Sequence, residues 1–193
     1  IIMFNTYDAL VDEVKNGGGL APLLASGWEY ADPTTLNITL KDGIKFHSGN
    51  ILDADDVVYS FNRLMDMGQG FSFLFGTVES VSAINSNTVQ FKTTEPFAPL
   101  VASLMRLAIV DKDDVQANTA DGNYGDNGDY GEAYLLTTSA GTGAYKITQH
   151  DPNVKTVLTK NGDYFQGHNP KAPDEVIIKY SVEAATIKTL LVR

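Results

Sequence analysis

The chain has 193 residues, of which 24 are acidic and 14 are basic, so its formal net charge is −10 at pH 7. This acidic balance argues against nucleic-acid binding, which requires a basic surface. The absence of cysteine excludes disulfides, thiolate metal sites and cysteine nucleophiles, and no apolar run reaches the roughly 18 residues that a membrane-spanning helix needs.

The first elements are predicted from apolar spacing and from the positions of glycine. Residues 7–14 are predicted to end a helix, which the glycines at positions 17–19 break. Apolar and polar residues alternate over residues 36–40, which is the pattern of a half-buried strand. Asp42-Gly43 indicates a tight turn, and the same alternation continues over residues 44–46.

The strongest helix signal follows this turn. Asp53 has the side chain of an N-cap, and Asp56, three residues later, completes the pattern of a capping box. One face of the predicted helix is apolar and is expected to pack in the core; it consists of Val57, Val58, Phe61, Leu64 and Met65. Residues 68–76, with the sequence GQGFSFLFG, are bounded by glycines and are predicted to form an aromatic loop.

The middle of the chain combines a hairpin signal, a short helix and an irregular segment. Residues 81–91 are predicted as a β-hairpin, because two alternating apolar runs flank the turn Asn85-Ser86-Asn87. A proline-containing connector leads to a predicted short helix at residues 100–107. Residues 121–131, with the sequence DGNYGDNGDYG, contain too much Gly, Asp and Asn for regular structure.

The last third predicts a second hairpin, a strand and a helix. The hairpin covers residues 145–157 and turns at Asp151-Pro152-Asn153. Residues 176–180 are predicted as a buried strand, and the apolar spacing from Glu183 onward predicts a helix. This helix lacks a C-cap and the first residues do not form a signal peptide, so we expect the chain to be a fragment of a longer protein.

The residues that could carry catalysis are scattered. His47, His150 and His168 lie far apart without metal-ligand spacing, so no zinc site is predicted, and His47 is interpreted as a turn residue whose ring bonds backbone groups. The carboxylate pairs at 55–56 and 113–114 begin predicted helices, where they favour the helix dipole. The sequence therefore predicts no enzyme, no cofactor and no metal ion.

Three loops leave alternatives open. Residues 121–126 invite a calcium site, but they miss the EF-hand pattern, and a solvated loop is favoured. The glycines of residues 139–145, with the sequence SAGTGAY, allow their backbone to approach either another strand or a ligand. Phe73 and Phe75 either line a ligand site or fill a core. The alternative functions are a hydrolytic α+β enzyme and a calcium-stabilised surface protein.

Six segments resemble, in the correct order, motifs of one bacterial family. They are LLASGWE at 23–29 with Gly27 as an insertion, NITLKDGIKF at 37–46, GTGAY at 141–145, KNGDYF at 160–165, PDEVI at 173–177 and EAAT at 183–186. Residues 41–64 also resemble the family's KFHDG and DVVYSF signature. The chain is thereby identified as a member of the extracellular solute-binding family 5, the peptide-, nickel- and opine-type binding proteins of ABC importers.

The resemblance implies a mixed α/β (α+β) fold of the periplasmic-binding-protein-like type II, in which two lobes close on a ligand. This chain would supply most of lobe I, and lobe II would be absent. Residues 1–46 and 140–180 are expected to form the core sheet of lobe I, residues 47–139 an extra subdomain, and residues 181–193 the start of the connection to lobe II.

The resemblance also implies the function. Such a protein captures a peptide or similar small solute outside the cytoplasmic membrane and delivers it to ABC permease subunits; nickel chelates, opines and oligosaccharides are the other ligand classes. We expect a monomer that is periplasmic or extracellular and is lipid-anchored in a Gram-positive cell.

The expected ligand contacts come from three loops by the same resemblance. Phe71 and Phe73 belong to the aromatic loop, Arg106 follows the short helix, and Thr142 and Tyr145 belong to the GTGAY loop. The guanidinium group of Arg106 suits a ligand carboxylate, because its planar fork matches the two oxygens. A surface ion pair is the alternative role for this arginine.

Overall fold

The computed structural model describes residues 2–14 and 17–180. The helices are α1 (Met3–Thr6), α2 (Ala54–Met67), α3 (Leu100–Ser103), α4 (Lys112–Ala117) and α5 (Glu132–Leu135), with 3₁₀ turns at Ser72–Phe75, Leu104–Arg106 and Gly125–Asn127. The strands are β1 (Val11–Glu13), β2 (Leu20–Pro22), β3 (Ala25–Asp32), β4 (Thr35–Leu40), β5 (Val78–Asn85), β6 (Thr88–Thr93), β7 (Tyr145–Asp151), β8 (Lys155–Lys160) and β9 (Glu175–Lys179). Over these residues, none of the helices has the length and apolar character for crossing a membrane.

The strands form three antiparallel sheets. Their orders are β1-β2, β3-β4-β6-β5 and β7-β8-β9. The two predicted hairpins are confirmed as β5–β6 and β7–β8, and the predicted strand at residues 36–40 is β4. In β3, the register shifts between Ala25 and Gly27, so the predicted insertion in LLASGWE is accommodated as a local irregularity of the edge strand.

Helix α2 begins as predicted and covers the four-stranded sheet. The Asp53 side chain accepts the backbone N–H of Asp56 while the Asp56 side chain accepts that of Asp53, which is a complete capping box. The ring of Phe61 meets the rings of Phe75 and Phe91 edge-on, with centroids 5.6 and 5.8 Å away. All three rings are buried, so Phe75 fills the core and this aromatic cluster joins the helix to the sheet.

The prediction of a helix end at residues 7–14 is wrong. Helix α1 stops at Thr6, and Tyr7 already has the extended dihedrals φ −129° and ψ 146°. The carbonyl of Leu10 accepts the N–H groups of Leu23 and Ala25, both at 3.0 Å, and β1 pairs with β2. Pairing between β1 and β2 across the glycine-rich connection thus satisfies the backbone hydrogen-bonding groups, although the apolar spacing of the segment is that of a helix.

The last described strand is confirmed, but its predicted burial is wrong. β9 lies at the edge of its sheet, and its residues alternate between exposed and half-buried. Ile177 is 49% exposed, because nothing in the described part of the chain covers this face. The helix predicted from Glu183 onward lies outside the described residues.

The middle of the chain largely follows the sequence prediction. The segment 100–107 is helical and tightens into a 3₁₀ turn over its last residues, as many helix ends do. Residues 121–131 are irregular, apart from one 3₁₀ turn and positive-φ backbone at three glycines and Tyr130. Asp111 is the N-cap of helix α4, and its buried carboxylate accepts the N–H of Asp114 at 3.0 Å.

The predicted division into a core and an extra subdomain remains a prediction. The four-stranded sheet joins β4 to β6, so its backbone pairing crosses the proposed boundary between residues 46 and 47. A subdomain that consists of residues 47–139 would therefore share this sheet with the core.

Candidate ligand-binding groove

A groove runs along α1 and the segment that leads to β1. It consists of two adjoining cavities of about 310 and 360 Å³, which share Met3, Tyr7, Phe71, Arg106 and Ala108 as lining residues. A third cavity of about 360 Å³ continues the second one along α2 to Leu136. The groove thus lies between α1, the aromatic loop and the turn that follows α3.

Arg106 stands where the first two cavities meet. Its guanidinium carbon lies 5.3 Å from the centroid of the Phe71 ring, within the range of a cation–π contact. The side chain is exposed and forms no ion pair within the described residues. The alternative role of Arg106 in a surface ion pair is therefore not observed there, and the aromatic ring holds the guanidinium at the groove.

The first cavity is acidic on the side of β1, where Asp8, Asp12 and Glu13 line it. The Asp8 carboxylate accepts hydrogen bonds from the Thr142 hydroxyl at 2.7 Å and the Tyr164 hydroxyl at 3.4 Å. Burial raises the pKa of Asp8, and these two hydroxyls partly oppose that rise. Burial raises the pKa of Tyr164 as well, to which the neighbouring Asp8 charge adds.

The loop at residues 139–145 holds the wall of the groove in place. The Gly143 N–H donates to the Thr6 carbonyl at 3.2 Å, and the Ala140 N–H donates to the Tyr7 hydroxyl at 3.3 Å. A Cβ on Gly143 would lie 2.5 Å from the Asn5 carbonyl oxygen. The close approach predicted for these glycines is therefore to the backbone of α1.

His47 fastens the same loop, in agreement with its interpretation as a backbone-binding turn residue. Its Nε2 lies 3.0 Å from the Gly143 carbonyl oxygen, which can only accept, so Nε2 carries the proton. Its Nδ1 lies 3.0 Å from Ser139 Oγ, which itself accepts the Ile147 N–H at 3.0 Å. The Ser139 hydroxyl therefore donates to the unprotonated Nδ1, and the neutral ring is fully bonded.

The family model described as "Bacterial extracellular solute-binding proteins, family 5 Middle" matches residues 19–193. The chain belongs to this family. This membership confirms the resemblance carried by the six sequence segments. The family is one of solute-binding proteins, which supports the prediction that the chain is not an enzyme.

Curated relatives of this family 5 chain are named as binding proteins. The chain is 30% identical to the probable D,D-dipeptide-binding periplasmic protein of Escherichia coli over 100% of its own length and 37% of the relative's. It is 27% identical to a nickel-binding protein of Staphylococcus aureus over 87% of the chain and 30% of the relative. The chain thus spans about a third of the length of such relatives.

Solved structures confirm the mixed α/β fold of periplasmic binding proteins. The DppA protein of Helicobacter pylori, in complex with the peptide STSA, matches 97% of the chain and 39% of its own length at a TM-score of 0.75 and 27% identity. The NikZ protein of Campylobacter jejuni, in complex with Ni(L-His), matches 97% and 36% at a TM-score of 0.80 and 19% identity.

The five residues predicted as ligand contacts of this family 5 chain occupy different surroundings. Phe71 and Arg106 meet in the groove, whereas Phe73, whose ring centroid lies 6.4 Å from that of Phe71, points to solvent and is 73% exposed. Thr142 is fully buried and reaches the groove only through its bond to Asp8. Tyr145 is also buried and donates its hydroxyl proton to the Pro173 carbonyl at 2.7 Å.

Sequence reasoning missed the groove residues of α1 and β1. Met3, Tyr7 and Asp8 line it, but the apolar spacing predicts a helix for this segment, in which the three side chains would be arranged differently. Arg63 on α2 lines the second cavity and carries no signal beyond its charge. These side chains are far apart in the sequence, and they come together at one groove in the tertiary fold, in which the loop at residues 139–145 packs on α1.

The contribution of His47 to the stability of the fold is expected to be lost on acidification. Burial is the main cause that lowers the pKa of His47 from its ordinary value of 6.5. At this site the unfolded state therefore binds more protons than the folded state, so the contribution of His47 to stability is fully present above pH 6.5 and is lost as the pH falls below it. Burial raises the pKa of Asp56 to about 7, and that carboxyl contributes with the opposite sign in the same range, so the effect of His47 is measured as a difference. Urea unfolding at several pH values between 5 and 8 should show that the stability of the wild type relative to His47→Gln falls as the pH falls.

The matched control is His150→Gln. It removes a histidine from β7, whose Nδ1 lies 2.8 Å from the Thr156 hydroxyl, without touching the loop at residues 139–145. The His150→Gln variant is expected to keep the wild-type dependence of stability on pH. The same pH dependence in the His47→Gln variant as in the wild type would contradict the role given to His47.

Proposed function

We propose that this chain is the ligand-binding lobe I of the substrate-binding component of an ABC importer. The protein captures a peptide or similar small solute outside the cytoplasmic membrane and delivers it to the permease subunits. The observation that carries the proposal is the groove itself, in which a guanidinium without an ion pair among the described residues lies over an aromatic ring, within a chain of this binding-protein family. Concave sites with apolar walls and few polar anchors are typical of small-molecule binding.

A peptide is the favoured solute. Three relatives of the chain are named for the binding of dipeptides or of di- and tripeptides. The carboxylate at the end of such a peptide is the group that the fork of Arg106 fits, while Phe71 and Met3 offer apolar surface beside it. A nickel–amino acid complex is the second ligand class, since another relative is named as a nickel-binding protein.

The five predicted residues divide into contact and support roles. Phe71 and Arg106 contact the ligand directly, and Phe73 extends the apolar rim from its exposed position. Thr142 supports the site by holding Asp8, and Tyr145 by fixing the loop that packs on α1. A second lobe closes over this groove by hinge motion and completes the ligand's surroundings.

The remaining parts of the proposal follow from the family. The protein works as a monomer in the periplasm or, attached by a lipid anchor, on the surface of a Gram-positive cell. Its partners are the ligand and the membrane-embedded permease. Residues 1–46 and 140–180 form the core of lobe I, residues 47–139 the extra subdomain, and residues 181–193 the link to lobe II.

A ligand screen on the whole protein tests this function. Thermal unfolding with di-, tri- and tetrapeptides, their C-terminally amidated forms and Ni(II)–histidine should reveal a stabilising ligand, because binding to the folded state raises the unfolding temperature. We expect stabilisation by free-acid peptides and much less by their amides. Stabilisation by none of these probes, or turnover of a peptide, would contradict the proposal.

A further inference from the structure

The second cavity of the groove has an unusual charge pattern. It is lined by Arg63 and Arg106, whereas its other lining residues, among them Leu64, Phe71 and Leu107, lack charged side chains. The chain as a whole carries a net charge of −10. Among the described residues, the lining of this mostly apolar cavity thus has two arginines and no acid, in contrast to the acidic composition of the chain. Glu132 lines the adjoining third cavity together with Arg63.

Arg63 is held in place without being neutralised. Its Nε donates to the Tyr130 carbonyl at 2.9 Å, which fixes the half-buried side chain on α2. It forms no ion pair within the residues that the structure describes. Burial raises the pKa of Tyr7, and the charge of Arg63 acts against that rise, as expected for a guanidinium near the groove.

The apolar lining of the second cavity and the positive charge of Arg63 would both favour the binding of a carboxylate there. Apolar surroundings strengthen a charge-assisted hydrogen bond, and they make a positive charge without a partner costly. Arg63 has donors on its terminal nitrogens besides the Nε that Tyr130 occupies. Acidic side chains line the cavities on either side of the second one and repel an anion there; they are Asp8, Asp12 and Glu13 in the first cavity and Glu132 in the third.

We propose that Arg63 forms a second anion subsite, so that the ligand is a solute with two carboxylates. Arg106 takes one carboxylate at the meeting point of the cavities, and Arg63 takes the other across the apolar lining of the second cavity. A short peptide that ends in glutamate or aspartate has this chemistry. The inference rests on the proposed function and adds the ligand class that the groove selects.

The test compares acidic dipeptides with their isosteric amides. Isothermal titration of the whole protein with Ala-Glu and Ala-Gln, and with Ala-Asp and Ala-Asn, gives the ratio of dissociation constants within each pair. We expect at least one acidic dipeptide to bind about tenfold more tightly than its amide, which is the effect of one charge-assisted bond. In the Arg63→Gln variant, this ratio should fall to about one with little change in the affinity for the amide.

The ratio of dissociation constants for acid and amide distinguishes a loss of carboxylate recognition from a loss of folding. Arg63→Gln keeps an amide that can donate to the Tyr130 carbonyl, and a purely structural loss would weaken both members of a pair equally. Arg63→Lys keeps the charge and is expected to retain part of the preference. Equal binding of acid and amide by the wild type, or a preference that survives Arg63→Gln, overturns the Arg63 subsite while leaving the proposed function intact. Binding of neither series overturns the Arg63 subsite, and the proposed function falls as well only if the tri- and tetrapeptides and Ni(II)–histidine of the screen also fail to bind.

Discussion

Replacement of Gly141 by alanine is expected to weaken ligand binding by tenfold or more and to lower the stability of the fold. An added Cβ would overlap the Thr6 carbonyl oxygen and lie 2.6 Å from Cδ1 of Tyr7. Neither the backbone of α1 nor the loop can yield without moving the wall that carries Asp8. Overpacking of this kind costs about 1–3 kcal/mol of stability. If the displacement of the wall weakens ligand binding by a similar free energy, the affinity falls by about tenfold or more.

Gly162→Ala is the matched control for this substitution. A Cβ added at Gly162 would meet no heavy atom within 4 Å, and this residue does not adopt a positive φ. Its variant should therefore remain within about 0.5 kcal/mol of the wild type, as surface substitutions usually do. Urea unfolding and titration with the ligand found in the screen give both quantities. Unchanged binding in Gly141→Ala would show that the position of α1 does not matter to the ligand.

Replacement of Arg106 by alanine is expected to weaken binding of a free-acid peptide by about 10- to 100-fold. Removal of one partner of a bidentate guanidinium–carboxylate pair typically costs about 1.5–3 kcal/mol. The fold should be little affected, because the side chain is exposed and its cation–π contact with the Phe71 ring lies at the surface of the groove. Titration of both proteins with one peptide measures the change.

The C-terminal amide of the same peptide provides the control. It lacks the carboxylate, so Arg106→Ala should change its affinity much less than that of the free acid. Arg106→Lys should give an intermediate result, because lysine supplies the charge but not the planar fork. An equal loss for acid and amide would mean that Arg106 acts through the placement of Phe71 and not by binding a carboxylate.

Elements with strong local signals are predictable from the sequence. The capping box of α2, the hairpins β5–β6 and β7–β8 and the irregular Asp-rich segment all depend on residues close together in the chain. Membership of the family can also be inferred from the sequence, because the motifs of the family consist of such elements. The register shift between Ala25 and Gly27 lies at the residue that is inserted relative to the family's segment.

Features that depend on distant contacts are not predictable in this way. A misleading local pattern has the same result: the segment after Tyr7 has helical apolar spacing, yet pairing with the next strand, β2, makes part of it a strand. The exposure of β9 depends on its position at a sheet edge, which apolar residues alone cannot reveal. The same limit applies to the candidate site, where the sequence indicates Phe71 and Arg106, whereas Asp8 and Arg63 reach the groove only through the tertiary fold.

Hydrogen exchange of the whole protein, with and without the ligand found in the screen, tests the location of the binding site most directly. If the ligand occupies the groove, the backbone amides of residues 3–13, 69–72 and 104–108 should exchange more slowly in the complex, while those of the edge strand β9 should not change. Slowed exchange confined to other parts of the chain, with these three segments unchanged, would contradict the assignment of the groove as the ligand-binding site.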